Sequence, residues 1–363
     1  MTTPSARPSQ RPHVAAVLED RFYEAAGWLL RRLGWRLRVE AYTGYGSPGR
    51  VRVLARVLLA RPRTGGEDRT ARRAARRGFR HFLTVPAPGR RVRVEVGGEA
   101  VVVTTDRAGY VDVEVRPVAP LQPGWRRAVL VGLDQPETCA ADAPLLVVDE
   151  RARFGVVSDI DDTTMVTAVP RPLLAAWNTF VRHAGSRRPV AGMPELYRAL
   201  EDAHPTAPFV YLSTGAWNTA ATLRAFLSRH DYPAGPLLLS DWGPTLTGWF
   251  RRGQAHKDAS LDLLMTWFPH VRWLLVGDDG QHDAEVYARA VDRWPGQVEA
   301  VAIRRLTAGQ RVLAGNLPVP AGDGAGGADD VGRVVTRPVP VVEGRDGHEL
   351  ARRLGEVPGV LGP

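Results

Sequence analysis

The 363-residue sequence predicts an α/β fold: a doubly wound parallel sheet in the second half, behind a β-rich, sandwich-like first half. Three observations predict it. From residue 152 onward, apolar runs alternate with amphipathic stretches, the pattern of strands buried beneath covering helices. From about 38 to 148, short runs of alternating apolar and polar residues are separated by Gly, Pro and Asp turns, as in an antiparallel β-sandwich. Three apolar runs of the second half then stop abruptly at clusters of Asp, Ser or Thr.

In chain order, residues 1–12 read as a disordered arm. Residues 13–36 read as an amphipathic helix, with Val14, Val17, Leu18, Phe22, Ala25, Leu29 and Leu33 at helical spacing. The β-rich domain spans 37–150 and includes "RVRVLARVLLA", "RVRVEV" and "YVDVEV". The parallel-sheet domain spans 151–358, with strands expected at 153–158, 208–213, 236–240, 271–276 and 299–303. Residues 316–334 read as a Gly/Ala/Asp-rich loop, before a last strand in "PVPVV" and a helix in "HELARRLGE".

Composition narrows the function. The longest apolar runs fall far short of a membrane span, and the first twenty residues lack the apolar core of a secretory signal. Cys139 is the one cysteine, which excludes an internal disulfide and a Cys-based zinc site, so the expected setting is the cytoplasm. A net charge of +9 favours anionic partners: nucleic acid, an anionic lipid surface or a phosphorylated substrate. Zinc-finger, helix-turn-helix and aromatic RNA-binding motifs are missing, so no nucleic acid is expected. Two stretches are candidates for peripheral contact with an anionic membrane. One is "RTARRAARRGFRHF" (69–82), with six arginines; the other is the 13–34 helix, which sets Phe22 and Trp28 near Arg31 and Arg32. A solvated loop and a helix packed on its own protein are the simpler readings of both.

Of the 48 basic residues, Lys257 alone is lysine. A lysine kept amid so many arginines marks a place where a compact ammonium fits and a planar guanidinium does not.

The chemistry gathers at strand ends. "FGVVSDIDDT" ends in Asp159, Asp161 and Asp162; "PFVYLSTG" ends in Ser213 and Thr214; "VRWLLVGDDGQHD" ends in Asp278 and Asp279, with Asp283 following. In a doubly wound sheet the carboxyl ends of the strands line one crevice, so these sets meet although far apart in sequence. Crowded carboxylates repel unless a cation lies among them, and Mg²⁺ takes a few hard oxygen ligands while leaving room for phosphate. Asp159, Asp161 and Asp278 can supply those oxygens. An EF-hand fails, because its sixth position is Thr164 where Gly is needed and its twelfth is Pro170 where Glu is needed. Taken singly, each cluster reads as turn residues, Ser213 as a helix cap and Lys257 as a surface lysine.

The order "DIDDT", "YLSTG", "HK", "GDDGQHD" resembles the four motifs of the haloacid-dehalogenase (HAD) phosphatase superfamily. Together with "GPLLLSDWG" and the longer "GDDGQHDAEVY", the stretch 152–306 resembles the actin-patch-associated phosphatidate phosphatase family and its bacterial relatives. That resemblance implies a HAD-type, Rossmannoid sheet and a Mg²⁺-dependent phosphomonoesterase working through an aspartyl-phosphate. It implies Asp159 as nucleophile and Asp161 as general acid–base. Mg²⁺ would be held by Asp159, Asp278 and the Asp161 carbonyl. Ser213 and Thr214 would bind phosphoryl oxygens, Lys257 would offset the charge of Asp159 and the phosphate, and Asp279 and Asp283 would orient Lys257 or metal-bound water. The implied substrate is phosphatidate. Two alternatives stay open: another phosphoester, such as a phosphoprotein or sugar phosphate, and a non-catalytic lipid- or partner-binding module. His256 and His282 are expected to be exposed neighbours of the site.

Overall fold

The computed structural model describes residues 29–61, 84–135, 137, 139–166, 187–240, 249–280, 282–307 and 338–361, save the side chains of 249–252. The expected arm at 1–12, most of the expected helix at 13–36, the arginine-rich 69–82 and the loop at 316–334 lie outside the described residues. Among the described residues, no helix is long and apolar enough to cross a membrane.

Among the described residues, nine strands build the first half: β1 (Arg36–Ala41), β2 (Gly44–Ser47), β3 (Arg50–Ala60), β4 (Val85–Pro86), β5 (Arg91–Val96), β6 (Glu99–Thr104), β7 (Tyr110–Val115), β8 (Gly124–Gly132) and β9 (Ala140–Val147). Alternation decides which side chains point inward: Val51, Val53, Ala55, Val57 and Leu59 of β3 share a core with Val92, Val94 and Val96 of β5. Hydrogen bonding joins all nine of these strands into one sheet. The long β3 is the reason, since it bonds β1 and β2 along one edge and β4 and β7 along the other. From β2 the sheet continues through β9, β8 and β5 to β6, and among the described strands of this sheet the β2–β9 pair alone is parallel.

The second half is a six-stranded parallel sheet. Its strands are β10 (Phe154–Asp159), β11 (Phe209–Ala216), β12 (Leu237–Ser240), β13 (Arg272–Asp278), β14 (Val298–Arg304) and β15 (Val341–Gly344), in the order β12-β11-β10-β13-β14-β15. β10 is buried at all six positions, as a central strand covered on both faces must be. Among the described residues, the α-helices of this half are α1 (Met193–Ala203), α2 (Ala220–Arg229), α3 (Trp249–Trp267), α4 (Asp283–Arg293) and α5 (Gly347–Leu354). α1 buries Met193, Leu196, Tyr197 and Leu200 at the i, i+3, i+4, i+7 spacing of a single face.

The two halves share a core. Tyr42, Tyr45 and Leu54 belong to the apolar cluster of the parallel-sheet half. The Tyr42 ring lies 4.3 Å from Trp217, just after β11, and the Tyr45 ring 6.0 Å from Trp267, at the end of α3. The Arg50 guanidinium sits 4.1 Å over that same Trp267 ring.

Candidate active site

The adjacency of β10, β11 and β13 sets Asp159, Ser213 and Asp278 at one edge of the sheet. The chain after β10 turns sharply: Thr164 and Met165 both donate backbone N–H to the Ile160 carbonyl, at 3.0 and 3.1 Å. That turn needs a left-handed residue, and Asp162 supplies it with φ 58°. Aspartate tolerates this region better than most side chains.

Lys257 reaches the edge from α3 and is buried. Its Nζ donates to Asp159 Oδ1 at 2.6 Å and to Asp283 Oδ1 at 2.5 Å. Burial by itself would lower the lysine's pKa, but the two carboxylates more than reverse this, so the ammonium is held above its ordinary value. Asp283 opens α4, and its close approach depends on Gly277. A Cβ at Gly277 would stand 2.7 Å from both the Cβ and the Oδ2 of Asp283.

Asp159 Oδ2 and Asp278 Oδ2 are buried without a hydrogen-bond partner, while Asp278 Oδ1 accepts from Gly280 N at 2.6 Å. Burial pushes the Asp159 carboxyl well above the ordinary range; Lys257 pulls it back, and Asp283 and Asp161 add to the rise. Asp278 is raised in the same way, by burial and then by Asp283 and Asp159. Asp159, Asp278 and Asp283 each offer an oxygen, all within 4.8 Å of one another. Buried anionic oxygens left without donors suit a hard divalent cation, so the residues fit one. This carboxylate trio differs from the expected set by containing Asp283. Asp283 is already engaged, at Oδ1 by Lys257 and at Oδ2 by the Asp278 N–H at 3.4 Å.

The Asp161 carboxylate turns to β11, where Ser213 Oγ donates to Asp161 Oδ2 at 3.0 Å and accepts from Gly215 N at 2.9 Å. The Thr214 carbonyl accepts from Ser240 Oγ at 2.7 Å, tying the end of β11 to β12. Asp279 Oδ1 accepts from Leu306 N at 2.8 Å, which ties the turn after β13 to the chain after β14. His256 is half-buried rather than exposed, its Nε2 3.3 Å from the Leu238 carbonyl, and burial lowers its pKa. His282 has its Nδ1 3.2 Å from Glu285.

Sequence reasoning missed three supports of this edge. Ser158 Oγ donates to the Asp159 carbonyl at 2.7 Å and lies 2.6 Å from Tyr197 Oη, so the tyrosine is the donor in that second bond. Tyr287 Oη donates to the Val276 carbonyl at 2.9 Å. Arg304, the last residue of β14, donates to the Asp162 carbonyl at 2.5 Å. Its place at a strand end, the position that marked Asp159 and Asp278, was the available signal.

Residues 154–305 match the family model described as "Phosphatidate phosphatase APP1, catalytic domain". Phosphatidate phosphatase APP1 of Saccharomyces cerevisiae is 27% identical over 152 residues, covering 42% of this chain and 26% of that protein. An uncharacterized protein of Schizosaccharomyces pombe is 26% identical over 173 residues, covering 45% of this chain and 26% of that one. The chain thus spans about a quarter of the length of these curated relatives. Among solved structures, the HAD domain of effector protein Lem4 from Legionella pneumophila is 16% identical, with 43% of this chain and 87% of that chain covered and a TM-score of 0.32. A carbohydrate acetylesterase from Xanthomonas citri is 9% identical, with 77% and 73% covered and a TM-score of 0.26. The stretch that holds Asp159, Ser213, Lys257 and Asp278 is similar in sequence to the catalytic domain of phosphatidate phosphatase APP1.

Proposed function

We propose that this chain is a Mg²⁺-dependent phosphomonoesterase acting on phosphatidate, releasing phosphate and leaving diacylglycerol. The carrying observation is Lys257 between Asp159 and Asp283, beside two buried carboxylate oxygens without partners. A bound cation and a phosphoryl group would satisfy those oxygens; a scaffold would have no use for leaving them bare. The sequence likeness of 154–305 supports the substrate.

In this reading Asp159 attacks phosphorus, forming a carboxylate–phosphorus bond as the ester oxygen–phosphorus bond breaks. Asp161 gives its proton to the departing alkoxide of diacylglycerol. It then takes a proton from water as that water attacks the aspartyl-phosphate, which frees phosphate and restores Asp159. Ser213, with Thr214, binds phosphoryl oxygens and, by its bond to Asp161, aligns the acid–base group. Lys257 offsets the charge of Asp159 and phosphate, and Asp283 and Asp279 hold it and the neighbouring turn. Asp159, Asp278 and the Asp161 carbonyl would hold Mg²⁺, with Asp283 alongside. When bound, the cation neutralises charge that builds on the phosphoryl oxygens.

The fold reading that accompanies this keeps 151–358 as a HAD-type doubly wound domain and 37–150 as its sandwich-like accessory. The setting is the cytoplasm, with peripheral contact to an anionic membrane, and the exposed Leu29 and Leu33 support that contact. Phosphate release from phosphatidate in mixed micelles, with Mg²⁺ or with EDTA, tests the reading in wild type beside Asp159→Asn. Release that needs Mg²⁺ and vanishes in the variant is expected. Silence on phosphatidate together with turnover of an aryl phosphate would discard the lipid and keep the chemistry.

A further inference from the structure

Arg304 touches both walls of the candidate site. It ends β14, two strands over from β10, with the Asp278 strand between them. Its side chain is 6% exposed. Nη1 donates to the Asp162 carbonyl at 2.5 Å and Nε to the Arg345 carbonyl at 3.2 Å. Its own carbonyl accepts from Asp279 N at 3.0 Å, and it pairs with Asp278 in the strand register. One residue thus ties the turn after β10, through its side chain, to the turn after β13, through its backbone.

The turn after β10 is the part that needs holding. Asp162 has a left-handed backbone, and its carbonyl is the group the guanidinium binds. Asp159 and Asp278, which each bring a carboxylate oxygen within 4.8 Å of the other, are the last strand residues before these two turns. Pairing of β10 with β13 fixes the two backbones, so what the turns can still set is the aim of the two carboxylates.

We infer that Arg304 is a positioning residue that sets the aim of the Asp159 and Asp278 carboxylates, and through it the affinity for a divalent cation. This rests on the proposed function for the cation itself. A planar fork can serve the Asp162 and Arg345 carbonyls at once, whereas a lysine ammonium at that position keeps the charge and can reach at most one of them.

The test is titration of the 363-residue chain with MgCl₂ by calorimetry, without substrate, for wild type, Arg304→Met, Arg304→Lys and Arg305→Met. Arg305 is the control, since its side chain is exposed and pairs with Glu343. Residues that orient metal ligands typically change affinity by about 10- to 100-fold when replaced. A loss of that order is expected in both Arg304 variants, with near-UV circular dichroism retained and Arg305→Met like wild type. Binding restored by Arg304→Lys would overturn the inference in favour of a pure charge effect. Wild-type affinity in folded Arg304→Met would overturn it outright. If Arg304→Met fails to fold, Arg304→Lys decides on the same criterion. A wild type that binds no Mg²⁺ would sink the proposed cation site, and the inference with it.

Discussion

Ser213 and Asp161 are 52 residues apart in sequence and joined at the site by a 3.0 Å hydrogen bond from hydroxyl to carboxylate. The serine oxygen also accepts from the Gly215 N–H at 2.9 Å, while its hydrogen goes to Asp161. Ser213 therefore orients the group proposed to move protons, in addition to its proposed contact with a phosphoryl oxygen.

Ser213→Ala removes both duties. The loss of one preorganised donor costs about 10²- to 10³-fold in turnover, and a fall of that size in kcat on an aryl phosphate is expected. Steady-state kinetics beside Asp161→Asn, with circular dichroism to confirm the fold, measure it. An unchanged kcat would remove Ser213 from the chemistry.

Lys257→Met leaves Asp159 and Asp283 facing one another in a buried place. Breaking a buried pair by removing one partner costs roughly 3–5 kcal/mol, so a marked fall in the urea midpoint is expected. Lys257→Arg should recover little of it, because Nζ stands within 2.6 Å of both carboxylates and leaves no room for a guanidinium. Equilibrium unfolding of the three proteins in EDTA decides this.

Stability should depend on pH in a direction set by Asp159 and Asp278. Burial raises both carboxyls above their unfolded value of 3.8, so the folded state binds more protons than the unfolded one between the two values. Their contribution to stability is present below the unfolded value and is lost as pH rises through the folded one. In EDTA, Tm should fall with rising pH across that window. Asp278→Asn should flatten the slope, and Mg²⁺ should raise Tm most at the upper end. Thermal melts at stepped pH, with and without Mg²⁺, read this out.

Gly277→Ala should separate Lys257 from its second carboxylate. The new methyl would stand 2.7 Å from the Cβ of Asp283 and 2.8 Å from Tyr287 Cε2. Overpacking of this kind costs about 1–3 kcal/mol. Loss of activity alongside that destabilisation is expected, measured by urea unfolding and aryl phosphate turnover on the same preparation.

Much of this edge was legible because buried parallel strands are unbroken apolar runs with polar ends. The run expected at 271–276 is Arg272–Asp278, and that at 299–303 is Val298–Arg304. β11 goes beyond its expected end to Ala216, because an irregular register lets Ala216 pair with Ser240. Such a pairing depends on another strand and leaves no local mark. The same holds for the supports: Tyr197 and Ser158 lie 39 positions apart, Arg304 and Asp162 lie 142 apart, and nothing near either arginine or tyrosine announces the partner. The first half was the least legible. Alternation reveals a strand and its inward face, but not that β3 would hold four neighbours or that β2 would run parallel to β9.

The contact of Tyr42 with Trp217 has a consequence for how the gene can be divided. Trp217 stands four residues beyond Ser213, and Tyr42 and Trp217 are 2% and 6% exposed. A protein cut at residue 150 would retain every group proposed for chemistry, yet it would open the faces of Trp217 and Trp267 to water. The severed half should be prone to self-association and should melt below the intact chain. The β-rich half thus supplies part of the wall that keeps these rings dry, and a truncated descendant would inherit the residues proposed for chemistry without it.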